Sequence, residues 1–341
     1  LTFFGCVFIM TTEKRKAEHI EIALRKNVQF KGKTTEFEKI RLEYDCIPDF
    51  DLSEVDSSTK FLGKDFSAPL MVSAITGGTT KARQINRDIA KACQKLGVGM
   101  GLGSQRAMIE DPDLVGTYQV RAVAPDIFLA GNLGITQLKN YSVKEIEKAL
   151  SDVKADALAV HLNAAQEAVQ PDGTPEFNGA LPALKALARK LSKPVYVKEV
   201  GHGIGRSAAK KISAAGVKAI DVQGAGGTSW VAIDSLRGNK ALGETFWDFG
   251  IPTAVSVFEC RQAFRGPIIA SGGIRSGLDV VKGLILGADL AGIALPVLKA
   301  QSRGGAKGVE KYLQKIIDET KLAMFLLNAS SIQDIKRAKY T

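Results

Sequence analysis

The stretch PIIASGGIRSGLDVVKGLILGADLAGIALPVLK (267–299) decides the fold. It opens on an apolar run, PIIAS (267–271), and turns through SGGIRSG (271–277). It then passes into amphipathic LDVVKGLILG (278–287) and closes on a second apolar run, LAGIAL (290–295). Strand, helix and strand within about 30 residues make a βαβ unit, which requires parallel strands. Both runs are rich in Ile, Leu and Ala with little polar alternation, as expected of strands buried on both faces.

Working back toward the amino terminus, the same rhythm repeats. Six further apolar runs are APLMVSA (68–74), GVGMG (97–101), DIFLAG (126–131), ALAVHL (157–162), PVYVKE (194–199) and VKAIDV (217–222). Between them INRDIAKACQKLG (85–97), VKEIEKALSDVK (143–154) and LPALKALARKL (181–191) carry apolar residues at three- and four-residue spacing. Eight strands each followed by a helix is the pattern of an α/β protein of the (β/α)8 TIM-barrel class. A doubly wound open sheet is the alternative, because a strand count does not prove closure. The expected organisation is an extension over 1–12, an amino-terminal arm and barrel lead-in over 13–67, and the barrel over 68–341. GNKALGETFWDFG (238–250) reads as a loop or lid, followed by a helix near 253–264. GVEKYLQKIIDETKLAMFLL (308–327) reads as an amphipathic helix closing the barrel.

Composition narrows the function. Forty-six Lys+Arg against 36 Asp+Glu give a net charge of +10, which points to an anionic partner without naming it. Four scattered cysteines with no Cys-x-x-Cys pair fit reduced thiols in the cytoplasm and offer no zinc site. Three histidines nearly exclude a histidine-rich metal centre. The leading LTFFGCVFIM (1–10) is too short to span a bilayer and lacks the preceding basic residues of a signal peptide. Because Met10 opens a plausible protein, the first nine residues read as a start-site extension, expected to be poorly ordered.

In a barrel the site lies at the carboxyl ends of the strands. Polar or glycine-rich groups stand at nearly every one of them, including Thr76-Gly77-Gly78, Ser104-Gln105-Arg106, Asn132, and His161 with Asn163, Gln166 and Glu167. Lys198, Gln223–Thr228, SGGIR (271–275) and Ala294-Leu295-Pro296 complete the set. Small residues at the last two strand ends let backbone N–H groups reach a phosphate, and Arg275 adds charge; helix-start geometry alone is the bland alternative. A phosphate-bearing cofactor, FMN above all, suits that place. Lys198 lies in an otherwise apolar strand, so it must find a partner or touch a ligand. Glu167 is either a helix-start dipole contact or a ligand to a hard cation such as Mg²⁺ that bridges to a diphosphate. KRKAEH (14–19) is either a solvated basic segment or an arm that clamps an anion, with Gln105-Arg106 meeting the same anion.

Taken in order, the motifs resemble the type 2, FMN-dependent isopentenyl-diphosphate isomerases. RKAEH (15–19), ITGGT (75–79), GSQR (103–106), GNLG (131–134), KEVGHG (198–203) and DVQGAGGTSW (221–230) carry the likeness. So do SGGIRSGLDVVKGLILGA (271–288), ALPVLKA (294–300) and, most specifically, HLNAAQEAVQPDGTPEF (161–177). The resemblance implies that Arg15, Lys16 and Ser104-Gln105-Arg106 bind the substrate's diphosphate. His19, His161 and Asn163 line the substrate site, and Gln166 is the catalytic residue beside the double bond. Glu167 is implied as the Mg²⁺ ligand. FMN contacts are implied for Ile75, Thr76, Gly77, Ser104, Asn132, Lys198, Thr228, Gly273, Ile274, Arg275, Ala294 and Leu295. NADPH or NADH is implied as the flavin reductant, and a homo-oligomer, tetramer or octamer, as the assembly. Two positions depart from the pattern: Asp234 stands where a glutamate is usual, which puts a proton-transfer role there in doubt, and Gln223 where bacterial relatives often have Ser.

Other functions fit less well. A 2-hydroxy-acid oxidase needs a late histidine base, and no histidine follows His202. A tRNA-binding flavin reductase wants a mid-barrel catalytic cysteine and a basic RNA-binding domain, and neither is evident. A non-enzymatic barrel does not account for so many polar strand ends. No nucleic-acid partner or membrane insertion is therefore expected.

Overall fold

The computed structural model describes residues 12–238 and 240–341. The expected extension at 1–12 falls, but for Thr12, outside the described residues. An amino-terminal helix α1 (Thr12–Arg25) leads through an irregular segment to an antiparallel ribbon of β1 (Thr59–Phe61) and β2 (Lys64–Phe66). Eight parallel strands then close into a barrel. They are β3 (Leu70–Val72), β4 (Gly99–Gly101), β5 (Leu129–Gly134), β6 (Ala157–His161), β7 (Val195–Lys198), β8 (Ala219–Asp221), β9 (Ile268–Ser271) and β10 (Leu290–Ile293). Pairing of β10 with β3, Ala291 opposite Leu70, shuts the ring and excludes the open sheet. Among the described residues no helix is long and apolar enough to cross a membrane.

Period-two alternation sorts each strand into an outward and an inward set. Leu158 and Val160, Val195 and Val197, and Ile268 and Ala270 belong to the layer shared with the helices. Ala157 and Ala159, Tyr196, Ala219, Ile269, Leu290 and Met71 fill the barrel interior. Small alanines there leave room for a plug from the ribbon: the Phe61 ring meets Phe128 edge-on at 5.3 Å and Tyr196 at 6.3 Å. The two-residue turn Leu62-Gly63, with φ of 46° and 85°, matches the mirror-image turns that tight hairpins require. One end of the barrel is therefore apolar and sealed. Two residues further along the strands the same inward face becomes polar.

Three expectations are refined. The stretch 238–250 contains a helix, Lys240–Phe246, rather than being a loop throughout. Its glycines read as loop signals, but Gly243 is there because a Cβ would come within 2.0 Å of Ser235. The residues after it act as a clasp, with Trp247 Nε1 donating to Gln29 O and Asp248 accepting from the backbone of Lys31 and Gly32. The closing helix is present where expected, ending at Phe325, but a further helix from Leu295 runs into it across a break at Gly304-Gly305. The third strand begins at Leu129 and continues through Gly134, because Asn132, Leu133 and Gly134 keep pairing with β6. Near the site, Gly103 runs against backbone: a Cβ would stand 2.4 Å from the carbonyl carbon of Thr76. Gly103→Ala should destabilise the fold by about 1–3 kcal/mol, as overpacking does. Urea unfolding of the variant beside the parent measures it.

Candidate active site

All eight carboxyl strand ends open into one cavity, over which α1 lies as a cover. Of the residues singled out in the sequence, Arg15, Lys16, His19, Ile75, Thr76, Gly77, Ser104, Arg106, Asn132, His161, Asn163, Gln166, Glu167 and Lys198 line it. Thr228, Gly273, Ile274, Arg275, Ala294 and Leu295 complete that set. Gln105 does not. Its side chain turns under the strands, where Nε2 donates to Ala149 O at 2.9 Å and Oε1 accepts from Asn132 N at 3.0 Å. A residue at a strand end can point either way, and Gln105 stabilises the loop between β4 and β5 instead of meeting a ligand.

The floor follows from strand alternation. Lys198, two residues after inward Tyr196, and Asp221, two after Ala219, are paired neighbours on β7 and β8. Both are buried. The Lys198 ammonium donates to Glu199 O at 2.8 Å, and its proton affinity is pushed down by burial against the opposing pull of Asp221 and Glu199. Asp221 is pushed up by burial, while Lys198 and hydrogen bonds from Ser271 Oγ and Gln223 Nε2 pull the other way. Ser73, in the same layer, buries an Oγ with no partner among the described residues. Gln223 takes a left-handed backbone conformation, φ 35°, to reach Asp221.

On the facing wall Asn132 Nδ2 donates to Leu102 O at 2.9 Å, so its Oδ1 must accept. The partner is His161 Nδ1 at 2.8 Å, which fixes the proton there and leaves Nε2 bare. Burial and the Lys198 charge push this imidazole down to about 3, so it is neutral. Beside it the Glu167 carboxylate accepts from Asn163 Nδ2 and from Thr174 N, each at 2.8 Å. Asn163 Oδ1 is buried without a partner among the described residues. One carboxylate and one amide oxygen unpartnered among the described residues are fewer oxygens than a hard cation takes, so the pair could hold one only with oxygens from elsewhere.

Backbone donors remain at the last two strand ends. Asp279 caps its own helix by accepting from Arg275 N and Ser276 N. The backbone N–H groups of Gly273 and Ile274, just before that cap, donate to nothing among the described residues. The start of the helix Leu295–Phe325 adds a second positive dipole end at the same corner.

Above the floor α1 is fastened by Asp234, which has no exposed surface. Its Oδ1 accepts from His19 Nε2 at 2.9 Å and Arg237 NH1 at 2.8 Å, and its Oδ2 from Gln166 Nε2 at 2.9 Å. Burial pushes this carboxyl up, but the hydrogen bonds from His19, Arg237 and Gln166 outweigh it and leave it below the usual range. Asp234 is thus an anchor behind the cavity wall, and its short side chain is fully used there. Arg237 reaches on to Glu18 and Asp172, and Arg15 also meets Asp172 at 3.1 Å. Trp230 packs edge-on against His19 at 5.2 Å and lines the cavity. It stands in the quoted GGTSW segment, yet only its place one helical turn before Asp234 marks it for this role.

The chain matches the FMN-dependent dehydrogenase family over residues 10–112 and 130–341. It is 44% identical over 338 residues to the isopentenyl-diphosphate delta-isomerase of Pyrococcus furiosus, covering 96% of this chain and 86% of that one. The enzyme of the same name from Methanosarcina barkeri is 42% identical over 338 residues, covering 97% and 92%. Among solved structures, a flavocytochrome b2 variant with pyruvate bound superposes with a TM-score of 0.71 at 20% identity, covering 95% of this chain and 82% of that one. A mandelate oxidase variant gives 0.66 at 17%, covering 97% and 99%. At such identities these two show the barrel and nothing about substrate.

Asp234→Ala should cost about 3 kcal/mol, because it leaves the Arg237 charge buried with weaker partners. The lowered carboxyl contributes stability that is full above its unfolded value near pH 4 and is lost as the pH falls through the folded value. Urea titrations should therefore show a shallower acid-side decline in the variant, and limited proteolysis a more readily cut α1.

Proposed function

This chain belongs to the FMN-dependent dehydrogenase family and, within it, to the isopentenyl-diphosphate delta-isomerases, and we propose how its residues share the work. It converts isopentenyl diphosphate to dimethylallyl diphosphate with FMN, a 1,3-allylic proton shift with no net redox change. The observation that carries the division of labour is that one cavity is lined by two sets of anion-binding donors. Lys198 and the free N–H groups of Gly273 and Ile274 stand at the strand ends, and Arg15, Lys16 and Arg106 lie toward the arm.

The floor fits FMN. Gly273, Ile274, Arg275, Ala294 and Leu295 would hold its phosphate, and Lys198 would stabilise negative charge on its ring, with Ile75-Thr76-Gly77, Ser104, Asn132 and Thr228 along it. Reduced FMN, when bound, supplies the acid and base that the side chains lack, and NADPH or NADH is its reductant. The protein's part is orientation and exclusion of water. Gln166, its Nε2 committed to Asp234, presents Oε1 to the substrate's double bond. His161 stays neutral and offers Nε2 to the same region. Arg15, Lys16, His19, Ser104 and Arg106 would bind or enclose the diphosphate, and Glu167 with Asn163 Oδ1 would hold Mg²⁺, which would supply counter-charge beside it. A cytoplasmic homo-oligomer is proposed as the working form, and exposed Phe246, Phe249 and Phe258 give an assembly apolar surface to cover.

The direct test is to purify the protein, look for bound yellow flavin, and assay isopentenyl diphosphate with and without dithionite and Mg²⁺. Turnover only with reduced flavin, lost on chelation, is expected. A colourless protein, or turnover indifferent to reduction, overturns the reading. Gln166→Ala should abolish turnover with FMN still bound. Burial, then repulsion by Arg15 and Arg106, pushes Lys16 down to about 8. The ammonium that grips the diphosphate is therefore present below that pH and lost above it. kcat/KM, which reports the free enzyme, should fall above pH 8, and the Lys16→Met variant should lack that limb.

A further inference from the structure

Tyr118 belongs to no strand end and to none of the quoted motifs. It follows the short helical turn Pro112–Thr117, far from Lys16 in sequence, yet its hydroxyl meets the arm. Tyr118 Oη donates its one proton to Ser104 O at 2.7 Å, so toward Lys16 it can only accept. Lys16 Nζ donates to Tyr118 Oη at 2.9 Å and to Ser104 O at 3.3 Å. The surroundings allow little else. A Cβ at Gly77 would come within 2.0 Å of the Tyr118 ring, and one at Gly78 within 2.9 Å of Lys16 Nζ. Asn86 Nδ2 fixes both approaching loops, donating to Thr76 O and Thr117 O at 3.2 Å each.

The Tyr118 ring is fully buried, and burial raises its hydroxyl's proton affinity, so it stays protonated. A lysine ammonium has three donors. Two are taken by Tyr118 Oη and Ser104 O, which leaves one for a ligand in the cavity that Lys16 lines. Long lysine chains lose much freedom when immobilised, and a lysine already held loses less on binding. We propose that Tyr118 is a positioning residue for diphosphate capture, its hydroxyl holding Lys16 at the cavity rim before the ligand arrives. This rests on the reading of Lys16 as a diphosphate ligand given above.

The test is a double-mutant cycle on the FMN-loaded protein with Mg²⁺, titrated with inorganic diphosphate. Tyr118→Phe keeps the ring and removes the hydroxyl. It should weaken binding by roughly 10-fold in the parent, the scale of one hydrogen bond to a charged group, and by less than about 2-fold in the Lys16→Met background. With isopentenyl diphosphate, KM should rise while kcat at saturation holds within about 2-fold. Equal weakening in both backgrounds, no weakening in either, or loss of flavin from Tyr118→Phe overturns the proposal, the last by making Tyr118 part of the fold. If Lys16→Met alone leaves diphosphate binding unchanged, the underlying assignment of Lys16 has failed, a result distinct from the others.

Discussion

The buried Asp234 carboxylate ties the arm to the barrel at the point where the two meet in the cavity wall. Asp234 collects His19 from α1, Gln166 from the helix after β6 and Arg237 from its own helix. A carboxylate removed from water is tolerated only when its oxygens are fully hydrogen-bonded, and here both are. The geometry of the rim hangs on it. With His19 held, the preceding turn of α1 delivers Arg15 and Lys16 to the cavity, and with Gln166 held by Nε2, its carbonyl end is oriented as well. Backbone pairing of residues 28–30 with 227–229 supports the same placement, through Phe30 N to Gly227 O and Ser229 N to Val28 O.

The floor obeys a different constraint. Strand alternation puts an inward apolar residue and, two positions later, an inward polar one on most strands, so the core and the site are successive layers of one barrel. The aromatic plug of Phe61, Phe66 and Phe128 seals the lower layer. The upper layer can then keep Lys198, Asp221 and Ser271 away from bulk water. Their mutual pairing offsets part of the burial cost, and the residual capacity, on Lys198, Ser73 and the Gly273-Ile274 backbone, faces the cavity. Unused polar capacity inside a sealed barrel is what a charged cofactor would satisfy.

Much of this was legible in the sequence, because period-two runs and three-to-four spacing are local. All eight runs contain or overlap the observed strands, and nearly every residue chosen at a strand end lines the cavity. What local pattern could not carry was decided by tertiary contact. Lys240–Phe246 is helical against the glycine signals because it packs on Ser235, and Gln105 points away because the β4–β5 connection needs its amide. Tyr118 and Trp230 have their place through partners distant in sequence, Lys16 and His19. Asp234 is fully bonded behind the wall, to His19, Gln166 and Arg237, and no spacing in the sequence announces those contacts. The roles of individual residues in the reaction came from family resemblance, not from the barrel pattern, which oxidases of other substrates share.

The central claim is that arm and barrel act as one site through Asp234. The most direct measurement is kcat/KM for isopentenyl diphosphate in His19→Ala, Asp234→Asn and the double variant, all loaded with reduced FMN. If Asp234 works by holding His19 and Gln166, the double variant should be no worse than the poorer single one, because the second change removes an interaction already lost. Losses that add in free energy would show the two residues acting independently, and would contradict the account.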